Sequence, residues 1–187
     1  LGAITVNTLF GEPFLLNWQI WWFADALGYV LAGVLAFSVF HAPKAILSFD
    51  LAGTRREFIW LLITTIAVST AIFTHNYNIN SGNLFLELHM VLFAFAIWSG
   101  LRFSVLHTAF VMAVIASIGF ACVLVGLGPF WFSDFNSYPV IVNTQIFFAV
   151  IAITGYLLSS YVGQSVRLNR HLVQSREEVS HRAEEAL

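Results

Sequence analysis

Cysteine is almost missing from this 187-residue chain. Cys122 stands alone, so neither an intramolecular disulfide nor a multi-cysteine metal cluster can form. Lysine is as scarce. Its single copy, Lys44, falls in a polar connection, which excludes a retinal Schiff base within a membrane span. Charged residues supply 10% of the chain against 59% hydrophobic ones, too few for an ordinary soluble domain. The eight basic residues flank apolar runs, so nucleic-acid binding has no support. Proline occurs four times, as Pro13, Pro43, Pro129 and Pro139, always at or beyond the end of an apolar run. No interior helix bond is lost at such positions. No catalytic triad, metal cluster or phosphate loop is recognisable, and no secretory signal peptide.

What the chain does have is long apolar stretches: Phe14–Phe40, Phe58–Thr74, Leu84–Trp98, Val105–Leu127 and Val140–Tyr161. Most approach the ~20 residues that carry a helix across about 30 Å of hydrocarbon, and the third is short. They lack the alternation of barrel strands, so the expected fold is an all-α polytopic bundle of five transmembrane helices. Lys44, Arg55 and Arg56 share one connection, Arg102 lies in another, and Arg167, Arg170, Arg176 and Arg182 follow the last span. The alternate connections, around His75–Asn83 and Gly128–Pro139, carry no Lys or Arg. Basic residues mark the cytoplasmic side, so the N-terminus is expected outside and the C-terminus inside.

Small residues recur every four positions in three spans: Ala24, Gly28, Ala32 and Ala36; Ala109, Ala113, Ser117 and Ala121; Gly155, Ser159 and Gly163. Such stripes let membrane helices approach closely, so they are expected to be packing faces of the bundle. Trp18, Trp21 and Trp22 form an aromatic group suited to the outer interface.

Ionisable and amide groups within spans are costly and are functional suspects. Asp25 shares a helical face with Trp18, Trp22 and Gly28, which is expected to be the packed face. Glu87 and His89 enter the third span, and Asn143 and Gln145 the fifth, at similar outer depth. Glu87 and His89 are two apart and cannot share a face. The expectation is an outward-opening polar pocket built on Asp25, Gln145 and one of those two, walled by the three tryptophans. The alternative is interhelical hydrogen bonding that only fixes the bundle. Haem ligation is disfavoured: His89 belongs to the outer half, while His41 and His107 lie at the inner interface. No cofactor is expected.

After Gly163 no glycine or proline interrupts residues 164–187, so the fifth span is expected to continue as a cytoplasmic helix. Ser165, Leu168, Leu172, Ser175, Val179, Arg182 and Ala186 alternate by three and four, a weak coiled-coil seam. Leu168, Leu172 and Val179 are its apolar relay positions. Both ends look cut from a longer chain.

Four motifs stand in order along the sequence: WWFADALGYVLAG (Trp21–Gly33), FAIWSGLRFS (Phe95–Ser104), GLGPF (Gly126–Phe130) and NTQIFF (Asn143–Phe148). The first resembles the Trp-x-x-Ala-Asp-x-x-Gly signature of bacterial membrane-associated sensor domains of the first type, the MASE family. The others are similar to that family's Trp-Ala-x-Leu-Arg-Phe, Gly-Pro-Phe and Leu-Gln-x-Phe segments, and the charged tail resembles its linkers to PAS, diguanylate cyclase or histidine kinase modules. The resemblance implies that these are the later spans of a longer bundle. It points to Trp22, Asp25, Gly28, Trp98, Arg102, Phe103 and Gln145 as family-motif positions. One departure is that the family often carries a proline where this chain has Ala32, Gly33 and Val34.

The expected function is therefore a membrane-embedded sensory input domain, 1–163, followed by a signalling helix from 164. It is not an enzyme itself. It would relay a signal to a kinase or cyclic-di-GMP-forming effector. Expected partners are membrane lipids, a second copy through the last helix, and another membrane protein. Arg102 is expected to anchor at the inner interface or to contact lipid phosphate. The alternative is a structural or transport-type subunit of a larger complex. A transporter would show broken helices in two inverted halves, and no such repeat is visible.

Overall fold

A computed structural model describes residues 2–11, 13–41, 52–75, 88–130 and 137–185. Every secondary-structure element among them is helical. A short helix α1 (Gly2–Phe10) precedes α2 (Phe14–Gly28), a π-helical turn (Tyr29–Gly33) and α3 (Val34–His41). Then come α4 (Ala52–Thr74), a 3-10 turn (Leu88–Val91) running into α5 (Leu92–Arg102), α6 (Val105–Leu124) and α7 (Ser137–Glu185).

Four stretches are long and apolar enough to cross a membrane: Phe14–Phe40, Arg55–Thr74, Val105–Leu124 and Val140–Glu178. The third expected span is the shorter apolar helix Leu88–Arg102. Its expected start, with Glu87, lies outside the described residues.

α4, α5, α6 and α7 make the core. α5 lies on α7, and α4 and α7 both lie on α6. Leu61, Phe73, Leu92, Met112, Ile115, Phe148 and Ile151 fill the space between them. The first span is peripheral: 6% of its most apolar window is buried, against 56% for Val105–Leu124. Its upper half touches α7 and its lower half α6, with α1 folded back along it.

Glycine sets the closest crossing. A Cβ placed on Gly100 would lie 2.7 Å from the Gly155 carbonyl and 2.9 Å from Leu158 Cβ. Two side-chain hydrogen bonds tie the same region together. Thr108 Oγ1 donates to the Ser99 carbonyl at 3.1 Å, and Ser159 Oγ to the Phe103 carbonyl at 2.9 Å. Without a hydrophobic drive between helices in lipid, small residues and interhelical hydrogen bonds carry the association.

α6 ends in a Schellman motif. Gly126, at φ 76°, donates its N–H to the Val123 carbonyl at 3.1 Å, and Leu127 donates to the Cys122 carbonyl at 2.9 Å. A left-handed residue at that place is nearly always glycine. Pro139 falls in the first turn of α7, where its missing N–H costs nothing. The first span carries no proline, and its irregularity takes another form. The π-turn at Tyr29–Gly33 widens the backbone where the resemblance leads one to expect a proline.

The small-residue stripes differ in their surroundings. Gly155 and Ser159 are buried as expected, whereas Gly163 is open. In α6, Ala109 is buried but Ser117 and Ala121 face outward; Met112, Ala116 and Gly119 pack instead. Ala24, Gly28, Ala32 and Ala36 are all exposed, so the first stripe is not a packing face of this bundle. Its helix has no neighbour on that side among the described residues.

Candidate functional site

Asp25 lies eleven residues into the first span, roughly 17 Å along its axis at about 1.5 Å per residue. The face it shares with Trp22 and Gly28 turns outward and not into the bundle, because the bundle uses Leu27 as its contact from this turn. The expectation of a packed Asp25 is thus corrected. Among the described residues no hydrogen bond or ion pair reaches its carboxylate.

Two hollows meet at this residue. One, of about 190 Å³, is lined by Trp18, Trp21, Trp22 and Asp25, with Gly2 and Ala3 of α1 as its floor. Gly2 is where α1 seats: a Cβ there would come within 2.8 Å of the Trp21 ring. The other is an open groove running down from Asp25 past Gly28 and Tyr29 to Ala36. The three tryptophans remain about half exposed, at 47%, 50% and 56%. They wall an outward-facing hollow that is mostly apolar, with the Asp25 carboxylate as its acceptor.

Gln145 is elsewhere. It is buried in α7, and its Oε1 has no hydrogen-bond partner among the described residues. His89 sits against aromatic edges, with ring centroids 5.1 Å from Phe130 and 5.0 Å from Phe147. No hydrogen bond joins Asp25 to Gln145, and they line no common cavity among those described. Asn143 is exposed. The structure therefore gathers Asp25 with the tryptophans, places His89 among phenylalanine rings, and buries Gln145 within α7. Glu87 lies outside the described residues.

A second constellation occupies the opposite end of the bundle. Glu57, at the start of α4, accepts from Arg102 Nε at 3.0 Å and 2.9 Å through its two oxygens. It also accepts from the Trp98 indole at 3.2 Å. Phe58 packs edge-on against Phe103 and His107, with centroids 5.2 Å and 4.9 Å away. The ring of His107 meets Ser104 Oγ at 2.8 Å. Trp98, Arg102 and Phe103 are thereby brought together, around a glutamate that sequence reasoning did not single out. The available signal was the run Arg55-Arg56-Glu57: an acid beside two cations at a span end, with a lone arginine at the end of another.

Arg102 is thus an ion-pair partner with 62% of its side chain exposed, which leaves its outer guanidinium nitrogens open to solvent or headgroups. On α7, Leu168 and Leu172 are exposed at 63% and 54%, with Val173 at 55%. Val179 lies in the helix, but nothing is described of its side chain. Among the described residues no group of three His, Cys, Asp or Glu side chains is placed to hold a metal ion. No protein-family model, curated protein or solved structure matches this chain.

Proposed function

We propose that this chain is the membrane-embedded input part of a bacterial signalling protein, passing a signal through α7 to a histidine kinase or diguanylate cyclase module. One observation carries the reading: α7 runs unbroken from Ser137 to Glu185, from an apolar span into a charged rod that is exposed from residue 163 to 178. A continuous helix transmits rotation or tilt from the bundle to whatever it is joined to, and a loop would absorb it.

Charge placement supports the orientation. The start of α4, the end of α5 and the Ser159 level of α7 share one end of the bundle, through the Glu57–Arg102 and Ser159–Phe103 contacts. The arginines of the rod extend beyond that end. By the positive-inside rule it is cytoplasmic, and the membrane is the bacterial inner membrane. The exposed Leu168 and Leu172 give the rod an apolar seam for a second copy.

The input is the outward hollow of Trp18, Trp21, Trp22 and Asp25, filled by a membrane-borne ligand or partner helix. A stimulus acts by binding one arrangement of the bundle better than another, and couplings of about 1–3 kcal/mol are usual.

The test is a fusion of this chain to a diguanylate cyclase, reading cyclic di-GMP in cells. Inserting seven residues after Gln164 should preserve output, and inserting three or four should change it several-fold by rotating the rod. Asp25→Asn should change output at normal membrane levels. Output indifferent to every insertion and to Asp25→Asn rejects the reading. The exposed stripe from Ala24 to Ala36 favours a second reading, a structural subunit of a larger complex. There Asp25→Asn weakens assembly and leaves the fused output unchanged.

A further inference from the structure

A cavity of about 440 Å³ lies at the end of the bundle from which α7 projects, between α3, the start of α6 and α7. That volume falls within the ~300–1,000 Å³ of small-molecule sites. Every polar side chain in its lining can donate a hydrogen bond. Ser38, Ser160, Gln164 and Arg167 all border it, and none of the four makes a hydrogen bond or ion pair among the described residues. Among the described residues no acidic side chain borders it.

The backbone adds to this. Val105 and Leu106 begin α6 and line the cavity, and first-turn N–H groups have no helical carbonyl to bond. Ser104 precedes them without capping them, because its hydroxyl meets the His107 ring instead. The 20-residue helix behind them carries the positive end of its dipole at this point. An arginine, two hydroxyls and an amide thus border one space, with the first turn of α6 beside them. Phe37, Val105 and Gly163 supply an apolar edge next to it.

We propose that this cavity binds a phosphate group. A tetrahedral oxyanion accepts hydrogen bonds from several directions at once, and charge-assisted bonds to arginine are the strong kind. Basic pockets between spans at the cytoplasmic face suit lipid headgroups. The apolar edge suits the glycerol and first methylenes of a phospholipid, while free phosphate shares the same anion chemistry. A bound phosphate would bridge α3, α6 and α7 where α7 leaves the bundle. This inference does not rest on the sensor reading, since the cavity exists whatever α7 is joined to.

Thermal unfolding of the purified full chain in a neutral detergent tests it, with dihexanoyl phosphatidylglycerol, inorganic phosphate and dihexanoylglycerol as probes. Phosphatidylglycerol, phosphate or both should raise the midpoint saturably, and dihexanoylglycerol should not. A response to the lipid alone identifies a headgroup site, and a response to inorganic phosphate identifies a soluble anion as sufficient. Arg167→Gln should raise the half-saturating concentration at least fivefold. Ser160→Asp, which puts a carboxylate in the cavity from an exposed position, should abolish the response. The assignment is overturned by no saturable response to either phosphate probe, by an equal response to dihexanoylglycerol, or by a response that survives both substitutions.

Discussion

Gly100 and Gly155 stand so close that α5 and α7 meet backbone to backbone: a methyl group on Gly100 would sit 2.7 Å from the Gly155 carbonyl. Gly163, two turns further along α7, has nothing within 4 Å. The same residue type in one helix is therefore obligatory at one place and incidental at the other.

That contrast predicts the outcome of alanine substitution. Gly100→Ala should destabilise the purified protein by about 1–3 kcal/mol, the range of an overpacked core. Gly163→Ala should be neutral or stabilising, since alanine is the better helix former by up to ~1 kcal/mol. Thermal unfolding in detergent compares the two; equal behaviour would contradict the crossing.

For the inner-end pair, a double-mutant cycle on Glu57 and Arg102 is the direct measurement. The arginine is 62% exposed, so the coupling should fall at about 0.2–1 kcal/mol despite the two short contacts. Each alanine variant alone should cost little. A coupling above ~2 kcal/mol would mean that lipid dehydrates the pair far more than its exposure indicates.

Gln145 is a different case, because its Oε1 is buried without a partner among the described residues. An unsatisfied buried polar atom costs about 1–3 kcal/mol, and methionine of similar length removes it. Gln145→Met should therefore raise the unfolding midpoint. A lowered midpoint would show that this amide makes a bond essential to the folded chain.

Asp25 should be indifferent to removal where stability is concerned. Its carboxylate has no partner among the described residues and it faces away from the core. Asp25→Leu is expected to leave the unfolding midpoint of the isolated chain unchanged or higher, as a polar group at membrane depth is replaced by an apolar one. A loss above ~1 kcal/mol would identify Asp25 as a structural contact.

The sequence makes the long helices readable because length and hydropathy are properties of single segments. The span from Val105 and the unbroken helix after Val140 follow from such counting, whereas the glycine turn at Gly126 ends α6 three residues before the expected Leu127. Helical spacing also puts Trp22, Asp25 and Gly28 on one face. Which way that face turns depends on the neighbours it meets, and spacing contains nothing about neighbours. The small-residue stripe from Ala24 to Ala36 misled for the same reason: it marks where a helix fits closely, not that one is there. Glu57 escaped notice because its partner lies 45 positions away in another helix. The π-turn at Tyr29–Gly33 has no proline to announce it, and the apolar helix Gly2–Phe10 is too short to register as a span.

The length of α7 has a mechanical consequence. From its crossing with α5 at Gly155 to its last described turn at Glu185 it extends roughly 45 Å, at about 1.5 Å per residue. Treated as a stiff lever hinged at that glycine contact, it converts a tilt of about 10° into a sideways swing of about 8 Å at its tip, by that same length. A small tilt within the bundle is thus magnified, several turns away, into a step comparable to the ~8–10 Å that separates the axes of two packed helices.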